Sequence, residues 1–237
     1  MNPYLAEFIG TGLLILLGDG VVANVILNKT KGNGGGWVVI TMGWALAVFV
    51  PATIFGLASG AHFNPALTLA IAINGGMAWA QVPGYILCQF AGAFVGAFFV
   101  WLMYKNHFDQ TPDQGTQLGV FSTGPAIRDT ASNLISEIIG TFVLVFALLA
   151  CTAGESTKVG NFYVWAVICT IGMSLGGTTG YAINPARDLG PRIAHAVLPI
   201  KGKGSSDWGY AWIPVVGPVI GAILGGITAQ AVIPFIS

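Results

Sequence analysis

The residues best placed to do chemistry in this chain are two asparagines and an arginine set in apolar sequence. Asn64-Pro65-Ala66 follows Gly60-Ala61-His62-Phe63, and Asn184-Pro185-Ala186 follows Gly180-Tyr181-Ala182-Ile183. Asn is a strong helix N-cap and Pro is favoured at the first helical position, so each tripeptide predicts a helix start. A helix N-terminus carries partial positive charge, and a capping Asn still has side-chain N–H donors for a passing molecule. The irregular backbone before each start would leave unsatisfied carbonyls in lipid, and it is tolerated where it lines water. The carbonyls of Gly60, Ala61, His62, Phe63, Gly180, Tyr181, Ala182 and Ile183 are therefore candidate acceptors along a pore. Such a site suits neutral hydroxyl compounds in transit and opposes cations and protons. The plainer alternative is a pair of structural helix caps.

Arg187 lies three residues after Asn184, inside the second of these helices. A buried Arg is a functional hypothesis by default, and its fixed donors suit a hydroxyl pair or a water at a constriction. An ion pair with its neighbour Asp188 is the structural alternative. Glu7 and Glu137 occupy equivalent positions in two repeated openings, Glu7-Phe8-Ile9-Gly10-Thr11 and Glu137-Ile138-Ile139-Gly140-Thr141. A carboxylate there can accept from loop N–H groups and hold the irregular segments in shape, or else relay protons. Asp19 is a third acid within apolar sequence, with no counterpart in the second half. His62 reads as a pore-facing imidazole satisfied by its surroundings, whereas His107 and His195 read as membrane-boundary residues. No nucleophile–base set, paired-carboxylate set, metal-ligand spacing or phosphate loop can be assembled, so no enzyme, metal or cofactor is expected. Cys88, Cys151 and Cys169 read as reduced packing residues.

The elements that must position these groups are membrane spans. Hydrophobic residues make up 54% of the chain and charged residues 8%, against roughly 25% charged in ordinary globular proteins. From Gly32 to Tyr104, 73 residues, there is no Asp, Glu, Lys or Arg. The formal net charge is zero, which gives no reason to expect nucleic-acid binding. The N-terminus has no basic region before its first apolar segment, so that segment is expected to stay as a helix. Polar breaks divide the chain into long apolar segments near 4–27, 37–57, 80–104, 132–153, 162–178 and 209–235. Two shorter helices of about ten residues start at Asn64 and Asn184, too short to span a bilayer.

The halves repeat. Besides the two Glu openings, Gly92-Ala93-Phe94-Val95-Gly96 matches Gly221-Ala222-Ile223-Leu224-Gly225, and these glycines read as close helix packing. Three spans per half is odd, so the second half must be inverted and the two short helices can meet end to end. The predicted fold is an all-α membrane protein of six transmembrane helices plus two re-entrant half-helices in an inverted 3+3 repeat. It forms one domain over 1–237, with repeat one about 1–106, a linking loop about 107–131 and repeat two about 132–237.

These residues resemble the major intrinsic protein family, the aquaporins and glycerol facilitators. The resemblance rests on both Glu-x-x-Gly-Thr openings, on Ser59 to Ala66 and on Gly180 to Asp188, and it covers nearly the whole chain. It implies an aquaporin-like fold and a homotetramer in the lipid bilayer with one pore per subunit. Asp188 directly after Asn-Pro-Ala-Arg, Arg192 and Pro214-Val215 resemble the glycerol-conducting branch. The family's narrow filter carries over onto Trp44, Gly172, Tyr181 and Arg187. Gly172 would leave room where water-selective relatives place His, and Trp44 and Tyr181 would face a carbon backbone. Arg187 and nearby carbonyls would bind the hydroxyls opposite. The common glycerol-facilitator residue at the Tyr181 position is Phe, and Tyr adds a hydroxyl.

The resemblance thus implies a passive channel for glycerol and other small neutral solutes, with water flux and exclusion of ions and protons. Urea, dihydroxyacetone, hydrogen peroxide and protonated small hydroxy acids are further candidates. A water-selective channel, a proton-coupled transporter and a non-conducting scaffold are the competing readings. The family keeps both termini in the cytoplasm, which puts Lys29, Lys31, Lys105, Arg128, Lys201 and Lys203 outside and only Lys158 inside. The positive-inside rule alone favours the opposite orientation. The short termini point to a bacterial inner membrane.

Overall fold

The computed structural model describes residues 1–153 and 160–236, and Lys158, the one cation expected inside, lies outside them. The chain is all helical. In order the helices are α1 (Pro3–Ile26), α2 (Gly36–Ser59), α3 (Pro65–Ile73), α4 (Val82–Asp109), α5 (Gln114–Phe121), α6 (Thr130–Ala153), α7 (Phe162–Leu175), α8 (Pro185–Val197) and α9 (Ile213–Val232). Helices α1, α2, α4, α6 and α9 are long and apolar enough to cross a membrane. Helix α7, within the segment expected at 162–178, has only 14 residues. Large apolar side chains such as Leu57, Leu87, Met103, Ile135 and Ile227 are exposed on the outer surface, as lipid-facing positions should be.

Glycines set the tightest helix pairings. A Cβ on Gly92 would lie 2.2 Å from the Phe8 carbonyl oxygen and one on Gly96 would lie 2.4 Å from that of Gly12, so α4 packs backbone to backbone on α1. Gly221 repeats this against the Ile138 carbonyl at 2.3 Å, joining α9 to α6. Each short helix then packs on both halves: α3 on α4 and α9, and α8 on α9 and α4.

Two expectations about lengths need correction. Helix α3 has nine residues, but α8 has 13 because it continues through Pro191 to Val197. Neither reaches across a hydrocarbon core of about 30 Å at 1.5 Å per residue. The segment expected as a linking loop is largely ordered: α4 runs on to Asp109, and the eight-residue α5 follows, capped by Asp113 accepting from the Thr116 N–H. His195, in the last turn of α8, is fully buried, with Nδ1 2.9 Å from the Ser206 hydroxyl, and His107, in the last turn of α4, is half-buried.

Candidate functional site: a two-loop constriction

The segments before α3 and α8 have the same irregular backbone. Positive φ occurs at Gly60 (83°), Ala61 (53°) and Phe63 (48°), and again at Gly180 (84°), Tyr181 (39°) and Ile183 (45°). Left-handed conformations are costly for residues with a Cβ and need support from outside the segment. A buried carboxylate supplies it in each half. Glu7 accepts from the Ser59 hydroxyl (2.6 Å) and from the N–H groups of His62 (2.9 Å) and Phe63 (2.7 Å). Glu137 accepts from the Thr179 hydroxyl (2.7 Å) and from the N–H groups of Ala182 (3.0 Å) and Ile183 (2.8 Å). In the first half only, Gln89 adds its amide, donating to Glu7 (2.8 Å) and to Thr68 (2.9 Å).

The two Asn-Pro-Ala segments interlock. Asn64 Oδ1 accepts from the Ala66 N–H at 2.9 Å, and Asn184 Oδ1 accepts from the N–H groups of Ala186 and Arg187. Their side-chain amides cross over: Asn64 Nδ2 donates to the Ile183 carbonyl and Asn184 Nδ2 to the Phe63 carbonyl, each at 2.8 Å. One N–H of each amide is therefore committed, and a second remains for a passing molecule. Likewise the carbonyls of Phe63 and Ile183 already accept a bond, and Phe63 turns its ring over Gly10, which leaves room for no Cβ. Pro65, Ala66, Pro185 and Ala186 are buried in the joint.

Three cavities follow one another past this joint. The central one is lined by Asn64, Asn184, Ala61, His62, Ala182 and Ile183 on its polar side and by Leu14, Val48, Leu67, Leu144, Leu148 and Ile168 on its apolar side. It shares Ala61, Leu67 and Leu148 with a cavity toward Gly60, Asn161 and Tyr163. It shares Trp44, Tyr181 and Arg187 with a cavity toward Trp37, Gly119, Thr123 and Gly180. Those three shared side chains form the neck between the two. His62 Nδ1 lies 3.1 Å from the Thr68 hydroxyl, which accounts for its ring in the polar wall.

At the neck, the Arg187 guanidinium lies over the Trp44 ring, 4.0 Å from its centre, a cation–π contact. Its Nη1 donates to the Phe121 carbonyl at 3.3 Å. The ion pair considered between Arg187 and Asp188 does not form. Asp188 instead binds Arg192 through two bonds of 2.8 and 3.0 Å and accepts from the Thr123 N–H and hydroxyl. Arg187 faces Asp19, at 3.7 Å.

Gly172 does not open space for solute in the way its residue type implied. A Cβ there would lie 2.9 Å from the Tyr181 hydroxyl and 2.8 Å from Thr41 Cγ2, so Tyr181 occupies the room that Gly172 leaves. The Gly172 carbonyl accepts from Trp37 Nε1 at 3.0 Å, and the Trp37 and Tyr181 rings meet edge to face. Trp37, Phe121, Thr123, Thr68, Gln89 and Thr179 were not singled out from sequence. Nothing in their spacing marks them, because they reach the site from separate elements.

Short helices capped head to head between two repeats of long apolar helices define an all-helical membrane protein of the aquaglyceroporin fold. The profile of the major intrinsic protein family matches residues 1–228, and the chain belongs to that family of non-enzymatic channels. It is 59% identical over 225 residues to the glycerol uptake facilitator protein of Streptococcus pneumoniae (strain ATCC BAA-255 / R6), covering 94% of this chain and 96% of that one. It is 54% identical over 232 residues to the glycerol uptake facilitator protein of Bacillus subtilis (strain 168), covering 98% and 85%. The aquaglyceroporin from Plasmodium falciparum superposes with a TM-score of 0.86 at 29% identity, covering 99% of this chain and 97% of that one.

Proposed function

We propose that this chain is a passive channel for glycerol and similar small neutral solutes, with accompanying water flux. The observation that carries this reading is the neck where Trp44, Tyr181 and Arg187 join two cavities. Trp44 and Tyr181 offer apolar surface to a carbon chain, while Arg187 offers N–H donors to hydroxyls. The central cavity continues the same division, with leucines facing asparagine amides and loop backbone. A polyol meets both faces at once; a hydrated ion would lose its shell against a wall that is mostly apolar. Two helix N-termini at the joint add positive potential that opposes cations and protons. The names of the bacterial relatives, glycerol uptake facilitators, support the same substrate.

Within this reading Trp44, Tyr181 and Arg187 form the filter, and Gly172 acts on it by seating Tyr181. Asn64 and Asn184 act as donors at mid-path, Glu7, Glu137 and Asp188 hold the loops, and the unengaged carbonyls of Gly60 to His62 and Gly180 to Ala182 serve as acceptors. Residues of about 1–106 and 132–237 form the two inverted repeats. We place the protein in a bacterial inner membrane as a homotetramer with cytoplasmic termini.

Stopped-flow light scattering on proteoliposomes tests the reading. After shrinkage in glycerol, rapid re-swelling is expected, with none in an impermeant sugar. Water flux without glycerol flux would favour a water-selective channel and refute the proposal.

A further inference from the structure

Everything built into the path so far is positive: two helix N-termini and the Arg187 guanidinium. That arrangement turns cations away, but it would draw in small anions. Asp188, the acid adjacent to Arg187, is engaged with Arg192. Among the described residues the remaining acid paired with Arg187 is Asp19, on α1, with Oδ1 3.7 Å from Nη1. Asp19 has no exposed surface, and neither carboxylate oxygen has a hydrogen-bond partner among the described residues. Its flanking residue Gly18 matters too. A Cβ there would lie 2.2 Å from the Trp44 ring, so Gly18 seats the ring over which Arg187 lies, and Asp19 backs the guanidinium from the same turn.

We infer that Asp19 is a specificity-determining positioning residue: a buried counter-charge that makes the neck electrically neutral and thereby keeps small anions out of a path otherwise biased toward them. A carboxylate with no other use in its surroundings is costly to bury unless it pairs with a charge, and the guanidinium is that charge. The path then takes neutral hydroxyl compounds because its remaining donors and acceptors are uncharged in sum. The inference rests on the channel reading above, and it adds a residue that the constriction itself does not contain.

The test uses full-length protein in proteoliposomes and compares wild type, Asp19→Asn and the double variant Asp19→Asn/Arg187→Gln. Nitrate permeability is read from swelling in potassium nitrate with valinomycin, and guanidinium permeability from swelling in guanidinium thiocyanate. Glycerol flux in wild type tests the channel reading separately. In Asp19→Asn, nitrate permeability is expected to rise at least fivefold, with guanidinium at background and glycerol flux reduced less than threefold. In the double variant, which removes both charges, nitrate is expected to return to the wild-type level. A neck that had merely loosened would admit nitrate and guanidinium together and would stay leaky in the double variant. Either result overturns the inference, as does unchanged nitrate permeability in Asp19→Asn. If Asp19→Asn alone is lost from the membrane while the double variant is recovered, the charge pairing is supported. Loss of both would mean that the shape of the carboxylate is needed, not its charge, and would overturn the inference.

Discussion

Replacing Glu137 by Gln tests how the irregular loop before α8 is held. Gln keeps one acceptor oxygen and exchanges the other for an NH2 group. Whichever way it sits, one of the two loop N–H groups that Glu137 now receives, from Ala182 or Ile183, faces a donor. Losing a charge-assisted bond costs about 1.5–3 kcal/mol, and leaving the buried N–H unmatched costs about 1–3 kcal/mol more. The variant is therefore expected to lose about 2.5–6 kcal/mol. At about 2–4 °C per kcal/mol for a chain of this size, its melting midpoint in detergent should fall by about 5–24 °C. Glu7→Gln should cost about as much, because one of the N–H groups of His62 and Phe63 faces a donor in the same way. The Gln89 amide, which donates to the same carboxylate, can turn over and present Oε1 to the new NH2 group. Tryptophan fluorescence on heating reads both midpoints. A fall of less than about 2 °C for either variant would refute this account of the loops.

Two further expectations concern the neck and the linking segment. Gly172→Ala should cut glycerol flux severalfold by driving the Tyr181 phenol toward the path, and adding Tyr181→Phe should restore part of it, since the hydroxyl is one of the three atoms a Cβ would crowd, beside Tyr181 Cζ and Thr41 Cγ2; equal flux in the single and double variants would contradict that steric account. At α5, bonds from the Thr116 hydroxyl and N–H hold the Asp113 carboxyl below its usual range. The folded-state value lies below the unfolded one, so this contribution is present above the unfolded value of about 3.9 and is lost as pH falls through the folded value. The stability advantage of wild type over Asp113→Asn, read from paired melting curves, should hold between about pH 5 and 8 and disappear in more acidic buffer.

The sequence made the recurring parts of this protein readable. Paired Asn-Pro starts, paired Glu openings and paired glycine rows each follow from a local rule that acts within one helix or between two neighbours. What it left open depends on contacts between distant elements. Helix α8 outruns its expected length because neither Gly190 nor Pro191 within it stops it; its end is an extended Leu198 before Pro199. Helix α5 is short, contains two glycines and has Asp113 as its main local signal. The partner of Arg187 could not come from adjacency, since neighbours on a helix diverge. The pairing of Asp188 with Arg192 four residues on was within reach, because that spacing meets on one helix face. The positive φ values of Ala61, Phe63, Tyr181 and Ile183 have no sequence signature, being imposed by carboxylates on other helices. Gly172 is the instructive case. Its residue type signals space, and only the fold reveals that Tyr181 fills it.

The central claim is passive conduction of a neutral polyol past Trp44, Tyr181 and Arg187. It is tested most directly by the initial rate of radiolabelled glycerol uptake into proteoliposomes over a wide concentration range, with and without a proton gradient. A passive path predicts rates that stay proportional to concentration and ignore the gradient. Uptake that saturates at low concentration and collapses when the gradient is removed would contradict it.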